Sequence, residues 1–201
     1  MQDYRLLELR RRLARHCAFT APQEPGCPQA SVALIVRPEQ AGLELLLIRR
    51  SQRIGDPWSG HMALPGGRRE PTDPDALATA IRESREEVGV HLDPDYTLGR
   101  LDDVSPISGA PRIAVSAWVF GTPAGTVTSL NHEAELAVWV PIPELLHPGT
   151  RTEHLHALAD GETLRLPAFG YRDHVIWGLT HRILSQFLEI ARPTAGLGDA
   201  P

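Results

Sequence analysis

The feature that most constrains the fold is a segment near the middle of the 201-residue chain, residues 74–88, whose two sides differ in character. At about 100° per residue, the residues that a helix would turn toward a core form one narrow stripe: Leu77, Ile81, Ser84 and Val88. The side roughly opposite collects acids at i, i+3 and i+4 spacing: Glu83, Glu86 and Glu87. The pattern predicts a helix that packs by one side and offers carboxylates from the other.

The three carboxylates would destabilise this helix unless something compensates for their charge. Like charges at i, i+4 spacing cost about 0.2–0.5 kcal/mol. Exposed carboxylates in the last turn also oppose the helix dipole, at about 0.3–1 kcal/mol each. A bound cation would relieve both effects, so Glu83, Glu86 and Glu87 are candidate metal ligands, with an ordinary solvated acidic face as the alternative.

The ends of this helix carry recognisable signals. Asp73 or Thr72 is the predicted N-cap, and Pro74 suits the first turn. Gly89 follows the last apolar residue, where a left-handed C-terminal residue is common. The helix is therefore predicted to begin near Pro74 and to end at Val88.

The rest of the chain predicts a domain of mixed strands and helices. Apolar runs bounded by turn residues predict strands at residues 31–36, 43–50, 96–104, 113–120 and 135–142. Helices are predicted at the N-terminus and over about 173–191, and residues 51–67 are predicted to be a loop. Layered α/β architecture with a mixed sheet follows. The predicted organisation is an N-terminal helix and connector (1–27), one domain (28–192) and a disordered tail (193–201).

Composition and charge exclude several classes of protein. The formal net charge of −5 gives no sign of bulk binding to nucleic acid, and no window reaches 18 apolar residues. The Arg-rich start contains Asp3 and Glu8, which a transit peptide would usually avoid. Cys17 and Cys27 lack the further ligands of a zinc site. We expect a cytoplasmic protein that acts on neither nucleic acid nor membranes.

The stretch GGRREPTDPDALATAIRESREEVGV, residues 66–90, resembles the Nudix box, G-x5-E-x7-R-E-U-x-E-E-x-G-U, in which U is a bulky apolar residue. The residues that fall on family positions are Arg82, Glu83, Glu86, Glu87, Gly89 and Val90. There are three departures: Ser84 replaces an apolar residue, Asp73 replaces the upstream Glu, and one extra residue separates Asp73 from Arg82.

Two further stretches resemble the coenzyme A pyrophosphatase branch of that family, whose upstream signature is R-x3-G-x3-F-P-G-G. Gly60 and the PGG at 65–67 match it, whereas Asp56 and Leu64 do not. The stretch IWGLTHRIL, residues 176–184, is similar to the I-W-G-x-T-x-R-I-L helix that often ends chains of this branch. The extra residue in the box is also typical of the branch.

The resemblance implies a Nudix fold, a mixed β-sheet sandwiched between helices, and hydrolysis of a nucleoside diphosphate linked to another group. It implies Mg²⁺ or Mn²⁺ bound by Glu83, Glu86 and Glu87 and by the carbonyl of Gly66. Glu83, Glu86 and Arg82 are the implied catalytic residues, with Arg82 orienting a carboxylate and Asp73 as its partner. Coenzyme A or a derivative is the predicted substrate.

Several positions outside the box stay open. Glu133 and Glu135 are candidates for a further acid, with Glu135 preferred. Candidates for substrate binding are Arg49, Arg50, Arg53 and His61. His154 and His156 are predicted to be an exposed pair rather than metal ligands, and Trp177 to pack in the core rather than on adenine.

Alternative functions also stay open. Asp56 stands where the branch has arginine, which favours nucleoside triphosphates, ADP-ribose or dinucleoside polyphosphates as substrates. A non-catalytic nucleotide-binding module is a third possibility, although such modules tend to lose the box carboxylates. A homodimer is compatible with the sequence.

Overall fold

The computed structural model describes residues 3–22, 27–56, 58–106, 113–158 and 161–192. The tail predicted to be disordered, 193–201, lies outside the described residues. The strands are β1 Gln29–Glu39, β2 Gly42–Arg50, β3 Met62–Ala63, β4 Gly66–Arg68, β5 Thr97–Arg100, β6 Ala114–Gly121, β7 Ala134–Pro141, β8 Arg151–Ala157, β9 Thr163–Tyr171 and β10 His174–Trp177. The helices are α1 Tyr4–Leu13, α2 Ala76–Val88, α3 Ile142–Leu146 and α4 Gly178–Ala191.

A mixed sheet forms the centre of the domain. Its path is β3-β2-β1-β6-β5, with β4 paired to β1 and β7 paired to β2. The β1–β6 pair is parallel and the other pairs are antiparallel. This arrangement places β4, which opens the glycine-rich stretch, directly beside the central strand.

The sheet is covered on both faces, which explains the continuous apolar runs in β1 and β2. Leu34 and Leu47 are fully buried on the face that α1, α3 and α4 cover. Ile35 and Leu46, one residue along, are fully buried on the face that α2 covers. The layers confirm the predicted α/β/α architecture.

Helix α2 packs through the predicted stripe, but its N-terminus differs from the prediction. Asp75 is the N-cap, because its side chain accepts a hydrogen bond from the Ala78 N–H at 2.8 Å. Asp73 and Thr72 are not the cap, and Pro74 precedes the helix. Gly89 ends the helix in the left-handed conformation at φ 68°, as predicted. Asp73 is left to serve another purpose, described below.

Three other features of local structure differ from the prediction. Strands β8, β9 and β10 form a second, antiparallel sheet that the sequence did not predict. His174–Trp177 is a strand, so the last helix begins at Gly178 and not near residue 173. The predicted loop over 51–67 contains the short strand β3 and the start of β4.

Helix α1 lies against the central sheet. Leu6, Leu9 and Leu13 are buried in the same core cluster as Leu98 of β5. Within the part of the chain that the structure describes, each helix is too short or too polar to cross a membrane.

Candidate metal and catalytic site

Two of the three acids on the acidic face of α2 are turned toward the protein and not toward solvent. Glu87 is only 1% exposed and Glu83 is 9% exposed. Glu87 Oε2 accepts a hydrogen bond from the Gly66 N–H at 2.9 Å. A Cβ atom at Gly67 would overlap the Glu83 carboxylate. The two glycines of β4 therefore let the backbone approach the carboxylates closely.

A third acid joins Glu83 and Glu87 from the segment before β7. Carboxylate oxygens of Glu83, Glu87 and Glu133 all lie within 4.8 Å of one another. The segment is held on the end of α2, since Ser129 N donates to Val88 O at 2.8 Å and Asn131 N donates to Glu87 O at 3.1 Å. These backbone contacts fix the position from which Glu133 enters the cluster.

Burial and mutual repulsion act on the protonation of this cluster. Burial raises the pKa of Glu87 to about 7, helped by Glu83 and Glu133 and opposed by the Gly66 N–H and Arg50. Burial also raises the pKa of Glu83, against the lowering effect of Arg82. Three carboxylate oxygens at this spacing are hard donors that fit a divalent cation, although each carboxylate also lies near an arginine.

Arg82 holds the outer side of the cluster. Its Nε and Nη2 donate to the two carboxylate oxygens of Asp73, each at 3.0 Å, and its Nη1 donates to Glu83 at 2.8 Å and Glu86 at 3.1 Å. The bidentate pair holds the pKa of Asp73 down at about 2 and raises that of Arg82. Arg82 is therefore placed to orient Glu83 and Glu86, with Asp73 as its anchor.

Two predicted acids lie outside the three-carboxylate cluster. The Glu86 side chain is 54% exposed and contacts Arg82. Glu135, preferred in the sequence analysis, pairs with Arg49 at 2.5 Å (Nε to Oε1). The structure brings Glu133, not Glu135, to Glu83 and Glu87. Because β7 begins at Ala134, Glu133 belongs to the segment tied to α2, whereas Glu135 lies on the strand.

The arginines predicted to bind phosphate are each paired with a carboxylate. Arg53 Nη2 lies 3.1 Å from Glu133 Oε1. Arg50 Nη2 lies 3.1 Å from Asp56 Oδ2, and its Nη1 lies 3.9 Å from Glu87 Oε1. Asp56 therefore supplies the counter-charge of an arginine beside the cluster.

His61 belongs to a group of four rings that the sequence analysis did not predict. His154 stacks on Trp177 with ring centroids 3.9 Å apart and an interplanar angle of 18°. His61 and His156 are tilted against the same indole at 4.6 and 5.2 Å. His61 follows Gly60, whose N–H donates to Arg50 O, so the group borders the arginine side of the site. The metal-ligand cluster found among the described residues includes none of these histidines.

Comparison with known proteins agrees with this geometry. The NUDIX domain matches residues 28–161, which is more than half of the chain. The uncharacterized Nudix hydrolase NudL of Yersinia pestis is 31% identical over 156 residues, 76% of this chain and 73% of that protein. The chain belongs to the Nudix hydrolase family.

Two other relatives are longer than the matched region. The human mitochondrial coenzyme A diphosphatase NUDT8 is 30% identical over 151 residues, 74% of this chain and 63% of that protein. The uncharacterized protein C14C4.10c of Schizosaccharomyces pombe is 38% identical over 141 residues, 67% of this chain. The match spans only 40% of the yeast protein.

Solved structures support the fold. A MutT/nudix family protein from Enterococcus faecalis superposes with a TM-score of 0.52 at 17% identity, over 79% of this chain and 53% of that chain. The NUDIX domain of Shewanella oneidensis NrtR, solved with ADP ribose, gives 0.50 at 20% identity, over 73% and 87%. The predicted resemblance to the Nudix family and its fold is confirmed.

Proposed function

We propose that the protein is a Mg²⁺- or Mn²⁺-dependent Nudix pyrophosphatase that cleaves coenzyme A or its derivatives. The observation that carries the proposal is the convergence of Glu83, Glu87 and Glu133 beneath the glycines of β4. The predicted reaction adds water across the diphosphate. One P–O bond of the P–O–P linkage breaks, and the products are 3′,5′-ADP and 4′-phosphopantetheine or its acylated form.

Glu83, Glu87 and Glu133 are the proposed metal ligands, with the Gly66 carbonyl and Glu86 completing the set named from the family pattern. A bound divalent ion would neutralise diphosphate charge and lower the pKa of a coordinated water. Mg²⁺ keeps several waters, so a few carboxylates are enough. Because Glu86 is exposed and held only by Arg82 within the described residues, we infer that it turns inward with little rearrangement.

The protein groups have separate proposed roles. Glu83 and Glu86 assist the attacking water, as ligands or as acceptors of its proton. Arg82 orients both carboxylates while its bidentate pair with Asp73 fixes the guanidinium. Arg50, Arg53 and His61 border the cluster and are the proposed contacts for substrate phosphates. Arg49 has weaker support, since its pair with Glu135 lies apart from the three-carboxylate cluster.

Three observations support coenzyme A as the substrate. The PGG stretch at 65–67 and the IWGLT stretch at 176–180 resemble the coenzyme A branch. The human relative at 30% identity is named a coenzyme A diphosphatase. Each stretch has a residue in this region of the protein. Gly66 of the first stretch contacts Glu87 in the carboxylate cluster, and Trp177 of the second contacts His61 in the group of rings.

One observation favours a second substrate class, the nucleoside triphosphates, ADP-ribose or dinucleoside polyphosphates. Asp56 occupies the arginine position of the branch signature and pairs with Arg50, so the positive charge that the coenzyme A branch has at this position is missing. A non-catalytic nucleotide-binding module is the least supported alternative, because Glu83, Glu86 and Glu87 are all retained. A cytoplasmic location and a homodimer stay predictions.

A mass-spectrometric hydrolysis screen tests the proposal. Coenzyme A, acetyl-coenzyme A, ADP-ribose, NADH, diadenosine polyphosphates and nucleoside triphosphates are incubated with protein and Mg²⁺ or Mn²⁺. We expect 3′,5′-ADP from coenzyme A with the highest kcat/KM, and loss of activity in E133Q and E86Q. The matched control is E135Q, which removes the neighbouring acid outside the cluster. Intact coenzyme A beside rapid cleavage of another diphosphate would assign the second substrate class instead.

A further inference from the structure

All three carboxylates of the proposed metal cluster lie near arginines: Arg82 holds Glu83 from the outer side, and the other two carboxylates have arginines of their own. Arg53 pairs with Glu133 at 3.1 Å, and Arg50 lies 3.9 Å from Glu87. A carboxylate oxygen that binds a divalent cation has less negative charge to offer a guanidinium. The arginines and the cation therefore compete for the same oxygens.

The two arginines differ in how firmly they are held. The side chains of Arg53 and Glu133 are 40% and 33% exposed, and an exposed ion pair of this kind is weak and easily exchanged. Arg50 and Asp56 are less exposed, at 24% and 17%, and Asp56 is itself held by the Trp58 N–H at 3.0 Å. Arg53 is thus the arginine that can leave its carboxylate at low cost.

The backbone near Arg53 is tied down although its side chain is exposed. Ser51 N donates to Glu133 O at 2.8 Å. Arg53 N donates to Ser59 Oγ, which in turn donates to Arg53 O, both at 2.9 Å. A guanidinium released from Glu133 therefore stays within reach of the cluster and has no need of a loop movement.

We propose that Arg53 is a substrate-binding residue that exchanges partners: it neutralises Glu133 while the metal site is empty and turns to the substrate diphosphate when a cation binds Glu133. This rests on the proposed metal site. Before loading, the pair limits repulsion among Glu83, Glu87 and Glu133. After loading, the same charge is free to contact the anion that the metal also binds, so metal and diphosphate binding support each other.

The proposed exchange predicts that loss of the Arg53 charge increases the affinity for metal. A purely structural role of Arg53 would not predict an increase. Replacing Arg53 with Gln removes the competitor for Glu133 and the repulsion between Arg53 and the cation, so R53Q binds Mn²⁺ more tightly than the wild type. An exposed pair of this type corresponds to about a two- to fivefold change in Kd. Mn²⁺ affinity is measured by isothermal titration calorimetry on the full chain without substrate.

R49Q is the matched control, because Arg49 pairs with Glu135 outside the cluster, and its Kd for Mn²⁺ is expected to stay at the wild-type value. An R53Q protein that binds Mn²⁺ equally or more weakly overturns the proposal. An equal gain in R49Q overturns it too, because the effect would then be general electrostatics.

The second arm measures what Arg53 does after release. With coenzyme A as substrate, R53Q is expected to raise KM several-fold with a smaller change in kcat, and R53K to restore much of the loss because it keeps the charge. An unchanged KM overturns the substrate half of the exchange. If no diphosphate is hydrolysed while R53Q still tightens Mn²⁺ binding, the proposed function fails and the metal half stands. If the wild type binds no Mn²⁺, both fail.

Discussion

At the scale of single residues, the Glu87 carboxyl lies in an environment very different from that of an unfolded chain. Its carboxyl is 1% exposed, receives the Gly66 N–H, and lies within 4.8 Å of Glu83 and Glu133. Burial raises its pKa to about 7, so near neutral pH the metal-free protein holds a proton there part of the time. A cation bound at the proposed site would replace that proton, which would link metal affinity to pH.

The free energy of unfolding of the metal-free protein should depend on pH because of the raised pKa of Glu87. Between its ordinary pKa of 4.5 and its folded-state pKa of about 7, Glu87 keeps a proton that the unfolded chain has released. The contribution of Glu87 to the free energy of unfolding is therefore fully present below pH 4.5 and is lost as the pH rises through 7. The free energy of unfolding of E87Q minus that of the wild type should therefore rise by on the order of 3 kcal/mol from pH 5 to pH 8.

Urea unfolding in EDTA at several pH values measures the difference between the two proteins, in which the other titrating groups largely cancel. Parallel pH profiles for E87Q and wild type would contradict the assignment. Saturating Mn²⁺ should flatten the wild-type loss at high pH, because a ligand that binds only the folded state stabilises it.

At the scale of elements, the site depends on how closely β4 approaches α2. Strand β4 pairs with β1, which lies beneath α2, and this places Gly66 and Gly67 over the carboxylates. The segment before β7 reaches the other side through its backbone bonds to the end of α2. Three elements therefore set the spacing of the acids, and a change in one should shift them.

G67A tests the close approach. A Cβ there would overlap the Glu83 carboxylate, so the carboxylate must move while the backbone of β4 remains in place. Displacement of a catalytic group by about 1 Å can cost about 100-fold, and we expect kcat to fall on that scale. G170A is the control, since its added Cβ meets only ordinary contacts at 3.7 and 3.8 Å. Wild-type kcat in G67A would contradict the argument.

The elements that the sequence predicted are those with a regular apolar pattern. Buried residues in β1, β2 and β6 form short apolar runs, and their length and the turn residues beside them favour strands. Strand β8 is exposed at five of its seven positions, so it shows no apolar alternation. Ile176 in β10 fits the three- and four-residue repeat of the following helix, which explains why the strand was assigned to that helix.

The candidate site likewise contains residues that the sequence predicted and residues that it did not. Glu83, Glu86 and Glu87 were identifiable because they lie on one helix and in one motif. Choosing Glu133 over Glu135 required knowing that β7 begins at Ala134 and that Asn131 is bound to the end of α2. The burial of Glu87 was also hidden, because it depends on a strand 20 residues away in the chain.

At the scale of the whole molecule, one group of rings joins the two sheets. His61 precedes β3 of the central sheet, whereas His154, His156 and Trp177 belong to the second sheet. Burial lowers the pKa of His61 and of His154; repulsion from His154 and His156 lowers that of His61 further, and repulsion from His156 lowers that of His154 further. Asp56 opposes the lowering at His61, and Arg50 adds to it. The junction therefore favours the uncharged forms of His61 and His154.

Acid should loosen this junction before it unfolds the core. A histidine with a lowered folded-state pKa stabilises the protein above its ordinary pKa of 6.5, and that contribution is lost as the pH falls below 6.5. Hydrogen exchange at pH 5.5, corrected for the intrinsic rate, should show lost protection in β10 while β1 stays protected. H154F should reduce the loss. Equal loss in β10 and β1 would contradict a local effect.

The position of α1 determines where this chain can be truncated. The NUDIX match begins at residue 28, but Leu6 and Leu13 fill space beside Gly121 and Gly99 of the central sheet. The boundary of the family is thus not the boundary of the folding unit. A chain that begins at residue 28 would keep the motif but would expose the apolar surface that α1 covers. Self-association through that surface would compete with catalysis in any assay of the shortened chain.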